Sequence, residues 1–592
     1  MKPHSLRYQA MAGAVLAALL TACSSGSSGD DSAGPAPTPE PEVPDPTPKP
    51  EIPQLSEAVG ARLQGRCEDL AGFSYPQATI LVAETIAAGT LNVGGNSIGE
   101  HCRVLGELEK RVSPVDGATY AIGFEMRLPV EWSGRYFYQG NGGTDGVIAT
   151  AEGAHGSGGP LSNALHKGFA VISSDAGHSG RSALFGMDPE ARVNYGYGAA
   201  QKLTPMAKQF IEFAYGKGPD RSYFGGSSNG GRHAMVAAAR LAEAYDGIIA
   251  NSPGFNLPLA AAAQLYTAQQ FRKVATDETD LSTGFTVAER QTVAAAILAQ
   301  CDALDGAEDG LVQDVEACRT AFDLERDVPT CTSGRDGTCL SAEQKQAIGA
   351  MFQGPVNGKG EALYATQPYD PGLTGSGWAS WKFESSVGNA RDPVAVGIIF
   401  QVPPDPTVGA DTTVSRQFAF NYDFDTDFPK LYATDATYTE HSLSFMTPPN
   451  PTQLDTLRDR GGKMIVVHGV SDGVFSIDDT RNWYEGLMQA NGGDASHFVR
   501  FFRVPGMNHS RGGVATDQYD SLEALVDWVE RGKAPDSILA QARGPGNPGG
   551  VNSEVPADWA PDRTRPLCPY PLVASYNGSG DVERAENFSC QK

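Results

Sequence analysis

Residues 222–232 read Ser222-Tyr223-Phe224-Gly225-Gly226-Ser227-Ser228-Asn229-Gly230-Gly231-Arg232. A short apolar run through Gly225 predicts a strand. The stretch from Arg232 to Ala244 carries helical periodicity, and between the two lies the G-x-S-x-G pattern Gly226-Ser227-Ser228-Asn229-Gly230. A strand that turns this abruptly into a helix forces its central residue into a sharp elbow. Its neighbours must then be small, and the Ser228 hydroxyl projects beyond the sheet. The bare pattern is weak in a Gly- and Ser-rich chain, where it also describes a glycine turn with an N-capping serine. The strand before it and the helix after it make Ser228 a candidate nucleophile.

Outward from this point the same texture repeats. Strand-like runs are predicted at Tyr120–Leu128, Arg135–Tyr138, Phe169–Ser173, Gly247–Ala250, Lys463–Val467 and Phe498–Val504, with a helix at Thr204–Tyr215. This alternation predicts an α/β architecture built on a mostly parallel sheet. From residue 255 to 455 the texture changes to Ala-rich helices (Leu259–Lys273, Thr286–Gln300), four cysteines and Gly/Pro/Trp/Tyr-rich loops. That block is expected to be an inserted lid, with the core divided into residues 54–254 and 456–592.

A serine hydroxyl attacks carbonyls only when a histidine takes its proton, and that histidine needs a carboxylate to set its tautomer. The expected chain order is Ser, acid, His. Strand 463–467 runs into His468-Gly469-Val470-Ser471-Asp472, and strand 498–504 into Pro505-Gly506-Met507-Asn508-His509. Asp472 and His509 therefore stand at successive strand ends. The rival acids Asp478 and Asp479 fall in the following helix, and His178 and His233 come too early. The oxyanion needs the backbone N–H after the nucleophile, at Asn229, and another from the glycine loop Gln139-Gly140-Asn141-Gly142-Gly143-Thr144. No Lys-Ser/Thr follows those glycines, so a phosphate cradle is disfavoured.

A second cluster, Asp302-Ala303-Leu304-Asp305-Gly306-Ala307-Glu308-Asp309-Gly310-Leu311, gathers four carboxylates in one short stretch. It suits calcium, although it lacks the terminal Glu spacing of an EF-hand, and two solvated Asp-Gly turns are an equal reading of the pattern alone.

The 592-residue chain carries a formal charge of -25, which opposes nucleic-acid binding. Residues 1–22 read as a secretory signal, with Lys2 and Arg7 ahead of an apolar run too short to remain in a bilayer. Leu20-Thr21-Ala22-Cys23 resembles the bacterial lipobox, so Cys23 is expected to be lipidated, and the following Ser24 resembles the outer-membrane class. Residues 23–53, with nine prolines between Pro35 and Pro53, form an extended tether by composition. Membrane contact is expected only through that anchor. The chain has nine cysteines, and removing Cys23 leaves an even set. In an exported protein these are expected to pair, and proximity suggests Cys67–Cys102, Cys301–Cys318, Cys331–Cys339 and Cys568–Cys590.

With these motifs in hand, the sequence resembles the tannase/feruloyl esterase family of α/β-hydrolases, including its mono(2-hydroxyethyl) terephthalate hydrolase branch. The resemblance spans about Cys67 to Cys590. It rests on Tyr223-Phe224-Gly225-Gly226-Ser227-Ser228-Asn229-Gly230-Gly231, Asp459-Arg460-Gly461-Gly462-Lys463-Met464-Ile465, Val504-Pro505-Gly506-Met507-Asn508-His509 and Arg565-Pro566-Leu567-Cys568-Pro569-Tyr570-Pro571. It implies an α/β-hydrolase fold with a large lid, the triad Ser228, Asp472 and His509, and Gly143 and Asn229 as oxyanion donors. It also implies a structural calcium on Asp302, Asp305 and Asp309 with the carbonyls of Ala307 and Leu311. The family usually joins two cysteines beside the catalytic serine and histidine; here those positions are Ser227 and Ser510, where a hydroxyl contact is expected instead.

The expected activity is hydrolysis of feruloyl, galloyl or terephthaloyl-type esters by a monomeric exported enzyme without organic cofactor. Arg391 is the nearest candidate for a carboxylate-binding lid arginine, though a surface ion pair is an equal reading. Phe475, with Trp378, Trp381 and Phe400, is a candidate wall of an aryl pocket. A non-catalytic glycan- or polymer-binding lipoprotein and a metal-dependent hydrolase using the Asp302 cluster are the competing readings.

Overall fold

The computed structural model describes residues 52–592. The signal, Cys23 and nearly all of the tether lie outside the described residues. Nine strands form one sheet: β1 (Ala78–Ile86), β2 (His101–Val112), β3 (Thr119–Pro129), β4 (Arg135–Gly140), β5 (Ala170–Ser174), β6 (Arg221–Ser227), β7 (Gly247–Asn251), β8 (Lys463–Gly469) and β9 (Val499–Val504), in the order β9-β8-β7-β6-β4-β5-β3-β2-β1. From β9 to β5 neighbouring strands run parallel, and β5, β3, β2 and β1 continue as antiparallel pairs. This is the mostly parallel α/β-hydrolase sheet, lengthened at one edge. The antiparallel edge was not read from sequence, although β2 alternates buried Cys102, Val104 and Leu108 with Arg103, Glu107 and Lys110 on the more exposed side.

Successive residues of the parallel strands face opposite layers. Tyr136, Tyr138, Ile248, Met464 and Val466 pack with Leu203, Met206 and Phe210 of helix α1 (Ala199–Tyr215) and with Ala234 and Ala237 of α2 (Asn229–Arg240). Phe137, Ile249, Ile465 and Val467 pack on the other side with Leu522, Leu525 and Trp528 of a C-terminal helix, Ser521–Arg531. That helix is also tied by charge. Buried Glu530 accepts hydrogen bonds from Arg135 at 2.7 Å and from the Tyr223 hydroxyl at 2.6 Å, so its carboxylate is fully partnered.

Residues between β7 and β8 contribute no strand to the sheet. They supply α3 (Leu257–Arg272), α4 (Val287–Cys301), a helix at Ala342–Gln353 and several π- and 3-10-helical turns, which share a core of their own around Leu265, Ile297, Ile348 and Ile399. Disulfides join Cys67 to Cys102, Cys301 to Cys318, Cys331 to Cys339 and Cys568 to Cys590. Four disulfides point to an exported protein. No helix among the described residues is long and apolar enough to cross a membrane.

One helix begins earlier than expected. The helix expected at Thr204–Tyr215 starts at Ala199 instead and contains Pro205, because a π-helical turn at Asn194–Gly198 runs directly into it. Pro205 donates no hydrogen bond; the neighbouring Thr204 hydroxyl bonds back to the Ala200 carbonyl at 2.6 Å.

The sheet and α2 meet through glycine. A Cβ on Gly230 would stand 2.2 Å from the Gly140 oxygen, and one on Gly226 2.4 Å from that same oxygen. Backbone is in the way, so nothing flexible can yield. Gly230→Ala is expected to destabilise the protein by about 1–3 kcal/mol or more, read as a lower urea midpoint. Gly218→Ala, where a Cβ meets nothing within 4 Å, serves as the control and is expected to change little.

Candidate active site

Ser228 stands between β6 and α2 with φ 64° and ψ −125°, a strained conformation for a residue bearing a side chain. The elbow is held by the Ser228 N–H, which donates to the Asn251 carbonyl at 3.0 Å, and by the glycine contacts beneath it. It presents the hydroxyl where two other strand ends deliver their loops. The Ser228 Oγ lies 2.8 Å from His509 Nε2, and His509 Nδ1 lies 2.7 Å from Asp472 Oδ2. The structure thus brings Ser228, His509 and Asp472 into one hydrogen-bonded line.

Asp472 is fully buried, yet every side of its carboxylate is occupied. Oδ1 accepts the backbone N–H groups of Val474 at 2.8 Å and Phe475 at 3.1 Å. Oδ2 faces His509 and, at 3.1 Å, Nε2 of His468. Burial alone would raise this carboxyl's pKa; the adjacent imidazoles of His509 and His468 overcome it and hold the group well below the usual carboxylate range. His468 is itself positioned by Thr480, whose hydroxyl lies 2.9 Å from Nδ1. With Thr480 donating to Nδ1, the Nε2–H of His468 points at the acid. Asp478 and Asp479 lie in the helix Ile477–Ala490 and engage Thr366 and Asn256 rather than His509.

Two backbone N–H groups stand beside Ser228. Asn229 is the first residue of α2, where helix geometry leaves the N–H without an intrahelical acceptor. Gly143 occupies a left-handed turn at φ 70°, and its N–H makes no hydrogen bond among the described residues. Both line the same cavity as Ser228 and His509. A buried tie invisible in the sequence joins their two segments: Asp145 Oδ2 accepts from Asn229 Nδ2 at 2.8 Å and bonds His233 Nε2 at 2.9 Å. Arg232, wholly buried, completes the tie through Asn229 Oδ1 at 2.6 Å and the carbonyls of Tyr195 and Gly196.

That cavity, of about 120 Å³, is walled by Trp381, Phe400, Phe475, Leu257, Ala260 and Ala261 from the block after β7 and from the Asp472 loop. Phe475 meets the His509 ring edge-on at 5.3 Å. Trp378 does not line the cavity; it packs on Phe383. Arg391 stands at the mouth with its guanidinium 4.8 Å from the Trp381 ring centre, and it forms no ion pair among the described residues. Gln264 and Asp392 also line the cavity and carried no signal in the sequence.

Ser227 and Ser510 are bonded hydroxyl to hydroxyl at 2.5 Å, linking the end of β6 to the residue after His509.

The acidic loop after α4 is closed by its own side chains. Asp302 accepts the N–H groups of Asp309 and Gly310 at 3.0 and 3.1 Å, and Asp305 Oδ1 accepts that of Ala307 at 3.0 Å. Asp305 Oδ2 is buried without any donor, and burial together with the Asp309 and Asp302 charges pushes its carboxyl up to about 7. An orphaned buried oxygen among carboxylates fits the chemistry of a hard cation. Asp309, however, is paired with Arg563 at 2.6 Å and with Arg565. No three His, Cys, Asp or Glu side chains among the described residues are grouped closely enough to hold a metal ion.

Known proteins are similar to this chain in sequence and fold. A family model described as tannase and feruloyl esterase matches residues 102–591. The chain is 37% identical over 577 residues to the mono(2-hydroxyethyl) terephthalate hydrolase of Piscinibacter sakaiensis, covering 91% of this chain and 92% of that one. It is 28% identical over 563 residues to a probable feruloyl esterase B of Emericella nidulans, covering 91% and 97%. Among solved structures, feruloyl esterase B from Aspergillus oryzae aligns with a TM-score of 0.69 over 89% of this chain and 99% of that one; at 23% identity this is a likeness of fold.

The depressed Asp472 carboxyl has a thermodynamic consequence. A group whose folded pKa is lowered stabilises the fold above its unfolded value, about 3.9, and that contribution is lost as pH falls through the lower folded value. The difference in urea midpoint between wild type and Asp472→Asn is therefore expected to shrink as pH falls below about 4. A difference that stays constant down to pH 3 would contradict the assignment.

Proposed function

Because the chain belongs to the tannase and feruloyl esterase family, we propose that it is a serine carboxylic-ester hydrolase acting on esters of aromatic acids through an acyl-enzyme. The observation that carries this reading is the line from Ser228 through His509 to Asp472, at 2.8 and 2.7 Å. In the proposed cycle, His509 Nε2 takes the Ser228 proton as Oγ bonds to the ester carbonyl carbon. Asp472 holds the imidazole in the tautomer with hydrogen on Nδ1 and stabilises the imidazolium. The Asn229 and Gly143 N–H groups receive the negative oxygen. The carbon–oxygen bond to the alcohol then breaks, and His509 returns the proton to the departing oxygen. Water, deprotonated by the same nitrogen, releases the acid and restores Ser228.

The aromatic walls support an aryl acyl group. Arg391, unpaired and stacked on Trp381, supports an acyl group with a hydrogen-bond-accepting or carboxylate substituent, as in a terephthaloyl half. Ser228→Ala is expected to lower kcat/KM for the best substrate among methyl ferulate, methyl gallate and mono(2-hydroxyethyl) terephthalate by a factor on the order of 10³ or more. Unchanged turnover would remove Ser228 from the mechanism. Absence of wild-type turnover on every ester would favour a binding protein on a hydrolase scaffold.

We further propose that calcium stabilises the loop 302–311 through Asp302, Asp305 and Asp309 with the carbonyls of Ala307 and Leu311. The support for it is the orphaned Asp305 oxygen. Chelation is expected to lower the melting temperature, with turnover at 25 °C lost only as the protein unfolds. Immediate loss of turnover in folded protein would instead favour metal-dependent chemistry.

A further inference from the structure

Lys382 lies in the π-helical turn Ser380–Ser385, and its side chain is buried without an ion pair among the described residues. Its Nζ donates to Oε1 of Gln264, on α3, at 2.9 Å. A charge taken out of water is costly, and a neutral amide offsets that cost poorly. A methionine would fill the same space without it. The other contacts of Gln264 say what the charge does.

Gln264 is itself buried, and its amide nitrogen donates to the carbonyls of Val474 at 2.8 Å and Gly473 at 3.2 Å. An ammonium only donates and a carbonyl only accepts, so the two ends of the amide are fixed in one orientation. The Gly473 carbonyl shares a peptide unit with the Val474 N–H, and the Val474 carbonyl shares one with the Phe475 N–H. In a planar trans peptide the carbonyl and the N–H point in opposite directions. Holding both carbonyls on one side therefore turns both N–H groups to the other, where Asp472 Oδ1 accepts them at 2.8 and 3.1 Å. Lys382, Gln264, two peptide units and the acid form one chain of hydrogen bonds in which each polarises the next.

Resting on the proposed esterase reading, we infer that Lys382 is a positioning residue for the triad: through Gln264 it holds the turn 473–475 in the conformation that fixes the Asp472 carboxylate opposite His509. Lys382 lies outside the lining of the aromatic cavity. A residue of the block after β7 thus acts on the acid rather than on the substrate. Two carboxylates face its charge, Asp392 and Asp472, with Arg391 beyond the first and His468 and His509 beyond the second. Burial lowers the Lys382 ammonium to about 8 against the pull of both carboxylates. Asp392, pushed up to about 6 by burial, and Asp472, held low by its histidines, are both ionised in that range. As pH rises above about 8, the charge that changes at this place is therefore that of Lys382.

The test measures kcat and KM from about pH 6.5 to 9.5 on whichever ester of the aromatic panel the wild type turns over best, with melting temperature confirming the fold of each variant. Lys382→Met is expected to lower kcat at pH 7 about tenfold, the worth of one hydrogen bond to a charged group, with KM changed by less than about twofold. Lys382→Arg, which keeps a positive donor, is expected to recover most of that loss. Wild-type kcat is expected to fall above about pH 8, whereas in Lys382→Arg it holds to higher pH because a guanidinium stays protonated. Adding Lys382→Met to Gln264→Leu is expected to cost little beyond Gln264→Leu alone, since both break one chain. Wild-type kcat in Lys382→Met, losses that multiply in full in the double variant, or an alkaline profile in Lys382→Arg that matches the wild type would overturn the inference and leave the esterase reading intact. If Lys382→Met does not fold, the Lys382→Arg profile decides. No wild-type turnover of any ester in the panel would overturn the esterase reading and this inference with it.

Discussion

The approach of α2 to the end of β4, backbone against backbone, is the constraint from which the site follows. Gly140, Gly226 and Gly230 allow it because a Cβ on any of them would collide with main-chain atoms. With the helix seated that closely, the chain at Ser228 has only a left-handed turn in which to pass from strand to helix. The strain in that turn is over-determined by the sheet on one side and the helix on the other. The same closeness places the first N–H of α2 and the Gly143 loop on one cavity, so the position of the Ser228 hydroxyl and of the two N–H groups beside it share a single backbone cause.

A second set of contacts converges on Asp472. Two backbone N–H groups and two histidines satisfy one buried carboxylate. The turn after β8, the loop after β9 and the Ile477–Ala490 helix, reached through His468 and Thr480, are therefore fixed relative to one another by one acid. A buried charge with that many donors is rigid as well as paired.

What was legible in the sequence was what backbone geometry writes locally. The elbow leaves its glycines and small residues around Ser228; Asp472 and His509 follow strands whose apolar runs are short and clear. Gly143 came from resemblance, since a glycine loop by itself does not say which N–H is free. The cavity walls were poorly legible because they rest on distant packing. Gln264 lies on a helix that was expected, but nothing in an Ala-rich repeat says which face turns inward. Asp392 and Arg391 border a π-helical turn, whose period matches neither helix nor strand patterns. The tie from Asp145 to Asn229 and His233 joins residues 84 and 88 positions apart and has no local signature. The start of α1 was missed for the same reason, since the π-helical turn at Asn194–Gly198 that leads into it has no local pattern of its own.

The hydroxyl bond between Ser227 and Ser510 closes the two loops that bear Ser228 and His509, where a disulfide would close them by a covalent, redox-sensitive link. The four disulfides among the described residues lie elsewhere: beside β2, within the block between β7 and β8, and near the C-terminus. Thiol reductants therefore act on the scaffold and leave the closure beside Ser228 and His509 chemically untouched. The contact between the loops of Ser228 and His509 can open and re-form without electron transfer, which separates the redox history of the chain from the meeting of these two side chains.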